Sequence, residues 1–328
     1  MLIFRSLQNV PIDFGPSLVA IGNFDGVHRG HRLVLRNLIA RARQRHARSV
    51  AVTLEPHPVR VLRPQFPLQL VTPLEQKLHL LEQAGRDVGG LDAVLVLPFT
   101  SEMAHWSAET FAQTVLHDAL HSIEVHEGEN FRFGHDAAGD VQTLTSLGAK
   151  LGFTVEAYPP LQWRGEVVSS SRIRTLIQQG NVRTARALLQ RPFAVASQSA
   201  RGRGDGARHT VPTINLAHYA ELLPANGVYI TCVEMGGEQF EAVTNVGNRP
   251  TFGPDAFSVE SHLLRAPALE IATGTPLTLH FLDRIRDERR WPSPEVLKAQ
   301  IARDVAQAQH YFGLLRSLRM QTNTPDNS

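Results

Sequence analysis

Cysteine is nearly absent: Cys232 stands alone among 328 residues. The chain therefore closes no internal disulfide and anchors no cysteine-based zinc site, a usage that fits a reducing compartment. Its setting, GVYITCV, is apolar and suits a core position. Lysine is scarce too, with Lys77, Lys150 and Lys298 the only three among 33 basic residues. The arginines that remain suit bidentate contacts to phosphate and carboxylate, and equally a GC-rich genome. No stretch approaches the ~20 apolar residues that span a bilayer, and the opening MLIFRSLQNVPIDFG has no basic leader before an apolar run. A cytoplasmic protein is expected. With a net charge of +2, its expected partners are small molecules, not nucleic acid or membrane.

What is present is enough for real cores, since 42% of residues are hydrophobic and the length favours two domains. From Ser17 to about Val168, SLVAIGNF, SVAVTL, LDAVLVLPF, SIEVHEGENF and FTVEAY read as buried strands. Segments with apolar residues at helical spacing separate them, among them HRLVLRNLIARARQRH and PLEQKLHLLEQAG. This alternation predicts an α/β domain with a parallel, Rossmann-like sheet and ligands beyond the carboxyl ends of its strands. A helical stretch from about Arg172 to Gln190 follows. From Phe193 to about Arg284 short strand-like runs alternate with turns, which predicts a small antiparallel β-barrel. Then PSPEVLKAQIARDVAQAQHYF predicts a terminal helix with Ser293 as N-cap. The expected domains are 1–182 and 183–314, with 315–328 a disordered tail.

The most informative decapeptide is GNFDGVHRGH. An apolar strand ends at Gly22 and Asn23, Gly26 and Gly30 permit a tight backbone, and a helix starts near Gly30. Such a loop aims backbone N–H groups and a positive helix end at an anion. His28 and His31, three apart, face the same way and can donate to phosphate oxygens. Metal binding is the other use for such a pair, but no third ligand stands at convincing spacing. SSSRIR, from Ser169 to Arg174, sits at a candidate helix start. There Ser169, Ser170 and Ser171 can bind an anion and Arg172 or Arg174 can clamp a triphosphate, although from these residues alone a plain serine N-cap is the favoured reading. Asn130 lies at a strand end, where ligands are met. Phe131 and Phe133 suit core packing, and Pro56 and Pro58 stiffen the loop around His57.

GNFDGVHRGH resembles the HxGH signature of the nucleotidylyltransferase superfamily, and its Asn-Phe-Asp-Gly form resembles the FMN adenylyltransferase branch. LEPHPVRVL, GENFRFG and SSSRIR resemble three further motifs of that branch, in order. The resemblance implies attack by the FMN phosphate on the α-phosphorus of ATP, giving FAD and pyrophosphate. Catalysis is then positioning and charge stabilisation by His28 and His31, with magnesium on the triphosphate. It implies nucleotide or flavin contacts for Gly22, Asn23, Phe24, Asp25, Gly30, Asn130 and the SSSRIR residues.

The second half, through TVPTINL, GVY, NVGNRPTFG, VESHLL and IRDERRW, resembles the riboflavin kinase module of bacterial bifunctional FAD synthetases. The resemblance implies that Thr213 and Asn215 hold Mg2+ and the ATP phosphates beside Pro212. It makes Glu260 the base that takes the proton of riboflavin's terminal hydroxyl. From the residues alone, Glu260 also suits a strand's solvent face, and RGRGDGARH suits either a phosphate-wrapping flap or a solvated loop. Two departures stand out: Thr-Val-Pro-Thr-Ile-Asn replaces Gly-Phe-Pro-Thr-Ala-Asn, and no Tyr-Gly pair follows VESHLLRAP. Two alternatives stay open, another HxGH nucleotidylyltransferase and a flavin-binding regulator with a degenerate barrel.

Overall fold

The computed structural model describes residues 1–200, 213–248, 257–265 and 271–322. The chain divides into two compact units, Met1–Ile173 and Arg174–Ser328.

In the first unit, strands β1 (Leu2–Phe4), β2 (Ser17–Ile21), β3 (Arg48–Glu55), β4 (Ala93–Pro98), β5 (Ser122–Gly128) and β6 (Thr154–Tyr158) make one sheet. Its order is β1-β4-β3-β2-β5-β6, and every pairing is parallel. The crossovers carry helices α1 (Arg29–Gln44), α2 (Pro58–Leu62), α3 (Leu74–Gln83), α4 (Ala108–Phe111, prolonged by π-type turns to Ala119) and α5 (Val141–Leu151). Central strands are apolar on both faces because both are covered. Leu18, Ala20 and Ala51 pack with Leu35, Leu38 and Ile39 of α1 and Leu81 of α3. Val19, Ile21, Val50 and Val52 pack with Phe111, Val115 and Leu144 on the other side. β1, which the sequence reading did not anticipate, is a three-residue edge strand with two exposed side chains, too short to show a period.

A small hairpin, β7 (Gln162–Trp163) with β8 (Glu166–Val167), leads into α6 (Ser170–Gln178). The expected single helical stretch is two helices, because Gly180 has φ +76° and Asn181 caps α7 (Val182–Leu189) through the Thr184 N–H. The units part at Ile173/Arg174, ahead of the expected 182/183 division, so the second unit takes in the end of α6 as well as α7. There Val182, Ala185, Leu188 and Leu189 are buried.

The second unit is a closed antiparallel barrel in the order β10-β13-β12-β11-β14-β9. Its strands are β9 (Phe193–Ala200), β10 (Thr213–Leu216), β11 (Gly227–Met235), β12 (Glu238–Asn248), β13 (Phe257–Leu263) and β14 (Pro276–Asp287). Phe193, Tyr229 and Phe281 fill its interior, with ring centroids 5.4–5.8 Å apart for the two Phe281 pairs. A buried hydroxyl chain runs Thr231–Thr244–Ser261, with steps of 2.6 and 2.8 Å.

Helix α8 (Pro294–Thr322) packs outside through Ala308 and Phe312 onto Val228, Ile230 and Val243. Its Asp304 is almost wholly buried and pairs with Arg286 at 2.8 Å. Ser293 caps it, accepting the Val296 N–H at 3.4 Å. The helix overruns the expected tail boundary at residue 315 and continues to Thr322. Leu315 still packs on the barrel, and Arg316 pairs with Glu241.

A fragment of residues 174–322 should unfold cooperatively by itself. Starting it at residue 191 instead should cost about 3 kcal/mol or more in denaturant unfolding, because the apolar face of α7 is lost.

Candidate functional site

The β strands of the first unit turn away from one another at β2: β3 and β4 lie to one side, β5 and β6 to the other. Such a switch point opens a crevice beyond the strand ends. Here it is a cavity of about 250 Å³, lined by the ends of β2, β5 and β6, the start of α1 and residues 167–169. Gly22, Phe24, His28, Gly30, His31, Asn130 and Ser169, all expected at a site, line it.

The β2–α1 turn is unusual backbone. Phe24, Gly26 and Val27 have φ of +46°, +84° and +37°, and a β-branched residue in the left-handed region needs strong external ties. Asp25 supplies them. Almost wholly buried, its carboxylate accepts the N–H groups of Val71 and Thr72 at 3.2 and 2.9 Å. Its carbonyl accepts the Ser170 hydroxyl at 2.8 Å. Thr72 Oγ1 also accepts the Gly26 N–H, at 2.9 Å. Asp25, expected as a ligand contact, is thus placed as a tie and does not line the cavity.

His28 ends the turn as the N-cap of α1, its Nδ1 accepting the His31 N–H at 3.3 Å. An accepting Nδ1 is unprotonated, so Nε2 carries the ring proton as a donor. The His28 and His31 rings stack at 3.6 Å, and Phe24 meets His31 edge-on at 5.2 Å. A Cβ on Gly30 would stand 3.2 Å from His28 Cε1, so glycine leaves the ring its place. The dipole of α1 adds a positive end at this turn.

Other expected residues are dispersed. Ser169 Oγ accepts the Arg172 N–H at 3.2 Å, as an N-cap does. The Arg172 guanidinium pairs with Glu166 at 2.8 Å rather than pointing into the cavity. Ser170, Ser171 and Arg174 lie on α6 outside the lining. Asn23 stays beside the turn, its Oδ1 buried without a hydrogen-bond partner among the described residues. Phe131 and Phe133 stack on each other at 5.2 Å against the core, as expected of them. His57 caps α2 through the Val59 N–H.

Four polar residues were not anticipated. Lys77, buried, donates to the Asn23 carbonyl at 3.2 Å and Thr53 Oγ1 at 3.1 Å. Burial lowers its pKa, while Glu55 and Asp25 oppose the shift. His126 bridges Glu124 at 3.0 Å and the Tyr158 hydroxyl at 2.8 Å. Burial draws the imidazole pKa down and pushes the phenol to about 12. Glu127 is buried in the cavity wall. The signal for these was three ionisable residues inside the strand SIEVHEG and a rare lysine within the apolar stripe of PLEQKLHLLEQ.

On the barrel, Asn215 of β10 lies directly across from Glu260 of β13, and Glu260 across from Asn245 of β12. Thr213 shares their face, 3.3 Å from His262 Nδ1. Alternation sends Val259, Ser261 and Leu263 into the barrel, so this polar row occupies the outer face. Asn245 is an addition to the expected set. Pro212 and the segment RGRGDGARH lie outside the described residues.

Each of the two units, the parallel-sheet α/β domain and the closed antiparallel barrel, thus carries a polar centre. Residues 12–172 match the family model of FAD synthetase, and residues 189–312 that of riboflavin kinase. The chain is 34% identical to a bifunctional riboflavin kinase/FMN adenylyltransferase from Pseudomonas fluorescens, over 94% of this chain and 97% of that one. It is 32% identical to the protein of that description from Escherichia coli K12, over 91% and 94%. A crystal structure described as a macrolide-efflux protein from Streptococcus pneumoniae superposes with a TM-score of 0.83 at 26% identity, over 94% of this chain and 98% of that one. Among the described residues no helix is long and apolar enough to cross a membrane. The chain belongs to the bifunctional riboflavin kinase/FMN adenylyltransferase family.

Asp25→Ala should strand the buried Val71 and Thr72 N–H groups. The first unit should then lose about 1–3 kcal/mol in denaturant unfolding, with the barrel unit unaffected.

Proposed function

We propose that the barrel unit phosphorylates riboflavin with ATP to give FMN, and that the α/β unit transfers the adenylyl group of ATP to FMN, releasing pyrophosphate. The observation that carries this reading is that each unit assembles one polar centre of the right chemistry: stacked His28 and His31 at a helix start, and Glu260 between Asn215 and Asn245.

In adenylylation the FMN phosphate oxygen attacks the α-phosphorus in line, and the enzyme positions and stabilises. His28 donates through Nε2 and His31 beside it, both to oxygens that gain charge at the phosphorus. The α1 amides add their dipole. Gly22, Asn23, Phe24 and Gly30 shape the nucleotide's bed, with Asp25 acting through the turn. Asn130 meets the flavin side. Ser169, Ser170, Ser171 and Arg174 hold the triphosphate together with Arg172, which exchanges Glu166 for phosphate.

In phosphorylation Glu260 accepts the proton of the ribityl hydroxyl as its oxygen attacks the γ-phosphorus. Thr213 and Asn215, with Pro212 before them, offer oxygen donors on one strand face, a hard set that suits Mg2+. Bound there, the ion would neutralise phosphate charge. The partners in this reading are ATP, riboflavin and FMN, in the cytoplasm, where a lone Cys232 fits.

Incubation of the chain with riboflavin, ATP and Mg2+, followed by flavin chromatography, should show FMN and then FAD. His31→Ala should depress FAD formation by roughly tenfold or more and spare FMN formation. Glu260→Gln should slow FMN formation by roughly two to four decades and still convert supplied FMN to FAD. Equal loss of both activities in either variant, with the fold intact, would reject two separate sites.

A further inference from the structure

Several ionisable groups in the wall of the α/β cavity have no part in the chemistry above, and Glu127 is the most tightly held of them by the backbone. Glu127 is the penultimate residue of β5 and is 4% exposed. Its Oε1 accepts the N–H of Ile21 at 2.5 Å. Backbone pairing between β2 and β5 runs from Ser17 to Val19 only. The side chain therefore takes over where the ladder stops and fixes the last residue of β2, immediately before the Gly22 turn.

The titratable side chains that share the cavity wall are His28 and His31 from the start of α1, His126 on β5 and Tyr158 at the end of β6. Among the described residues no lysine or arginine lines the cavity. Burial pushes the Glu127 carboxyl well above the usual range, and the Ile21 and Gly128 N–H groups draw it back only in part. A carboxylate in the wall of a phosphate-binding cavity would repel its own ligand. A carboxylic acid would not, and it still accepts the Ile21 N–H.

We infer that Glu127 is a positioning residue of the adenylylation site that works in its protonated form, anchoring the end of β2 and keeping the cavity wall uncharged toward the ATP phosphates. The inference rests on the reading that this cavity takes ATP.

Two consequences follow as pH rises. The unfolded carboxyl titrates near 4.5 and the folded one higher, so the folded state binds the proton more tightly. That contribution to stability is complete below the unfolded pKa and is lost as pH climbs through the folded one. Ionisation over the same upper range also places negative charge against the phosphates.

The test uses the full chain, wild type and Glu127→Gln, from about pH 6 to about pH 9.5, a span that covers shifts documented for buried carboxyls. In the wild type, KM for ATP in FMN adenylylation should rise about tenfold at the alkaline end with little change in kcat. Riboflavin phosphorylation on the same chain should show no such rise, so the wild type alone already tests the inference. In Glu127→Gln, which keeps an acceptor for Ile21 and cannot ionise, the rise should vanish. The melting temperature of the α/β unit should also fall less with pH than in the wild type.

A wild-type KM without the alkaline rise, or the same rise in Glu127→Gln, would overturn the inference. Parallel melting curves would overturn the protonated form. If instead the wild type makes no FAD while the melting curves diverge, it is the functional reading that fails, and the protonated acid stands.

Discussion

A single buried residue, Asp25, holds three separate stretches of the α/β unit together through its carboxylate and its carbonyl. Asp25 accepts two backbone N–H groups from residues 71 and 72 and through its carbonyl receives the hydroxyl of Ser170. These bonds keep Phe24, Gly26 and Val27 in left-handed backbone, a conformation that a chain leaving β2 would not adopt unaided. The orientation of everything downstream depends on it: the His28 cap, the stacked imidazoles and the axis of α1. Lys77 reinforces the same turn from beneath by holding the Asn23 carbonyl. The groups that meet ligand are therefore few, and the groups that aim them are drawn from far along the sequence.

The barrel solves a different problem. Closure pairs every strand, and alternation divides polar residues by purpose. Inside, Thr231, Thr244 and Ser261 satisfy one another's hydroxyls in a chain sealed from solvent. Outside, Asn215, Glu260 and Asn245 stand in one cross-strand row. A shift of one residue in β13 would exchange Glu260 with Ser261 and bury the carboxylate in the barrel. The register thus protects the reactive group as well as the core.

Sequence patterns revealed β2 to β6, the barrel and the loop that joins β2 to α1, because buried parallel strands and glycine-rich strand ends leave strong local marks. They place Gly22, His28, Gly30 and His31 in one loop, and the family resemblance implies that Asn130 and Ser169 meet the same ligand. They could not show that Asp25 bonds to residues 71 and 72, since that bond depends on tertiary packing and not on spacing. Nor could they show that Arg172 turns to Glu166. The helix runs past residue 315 because Leu315 and Arg316 have partners, the barrel surface and Glu241, that exist only in three dimensions. β1 and the break at Gly180 and Asn181 were too short to register as periods.

The scarcity of lysine gives the buried Lys77 a chemical consequence. Lys150 and Lys298 are exposed, whereas the Lys77 amine is enclosed beneath the turn by Asn23, Thr53 and Glu55. Amine-directed acylation of the folded protein will therefore mark the two outer lysine side chains and pass over Lys77 until the turn opens. Lys77 is in effect a built-in clock for that opening, readable by mass spectrometry from one peptide without any engineered label.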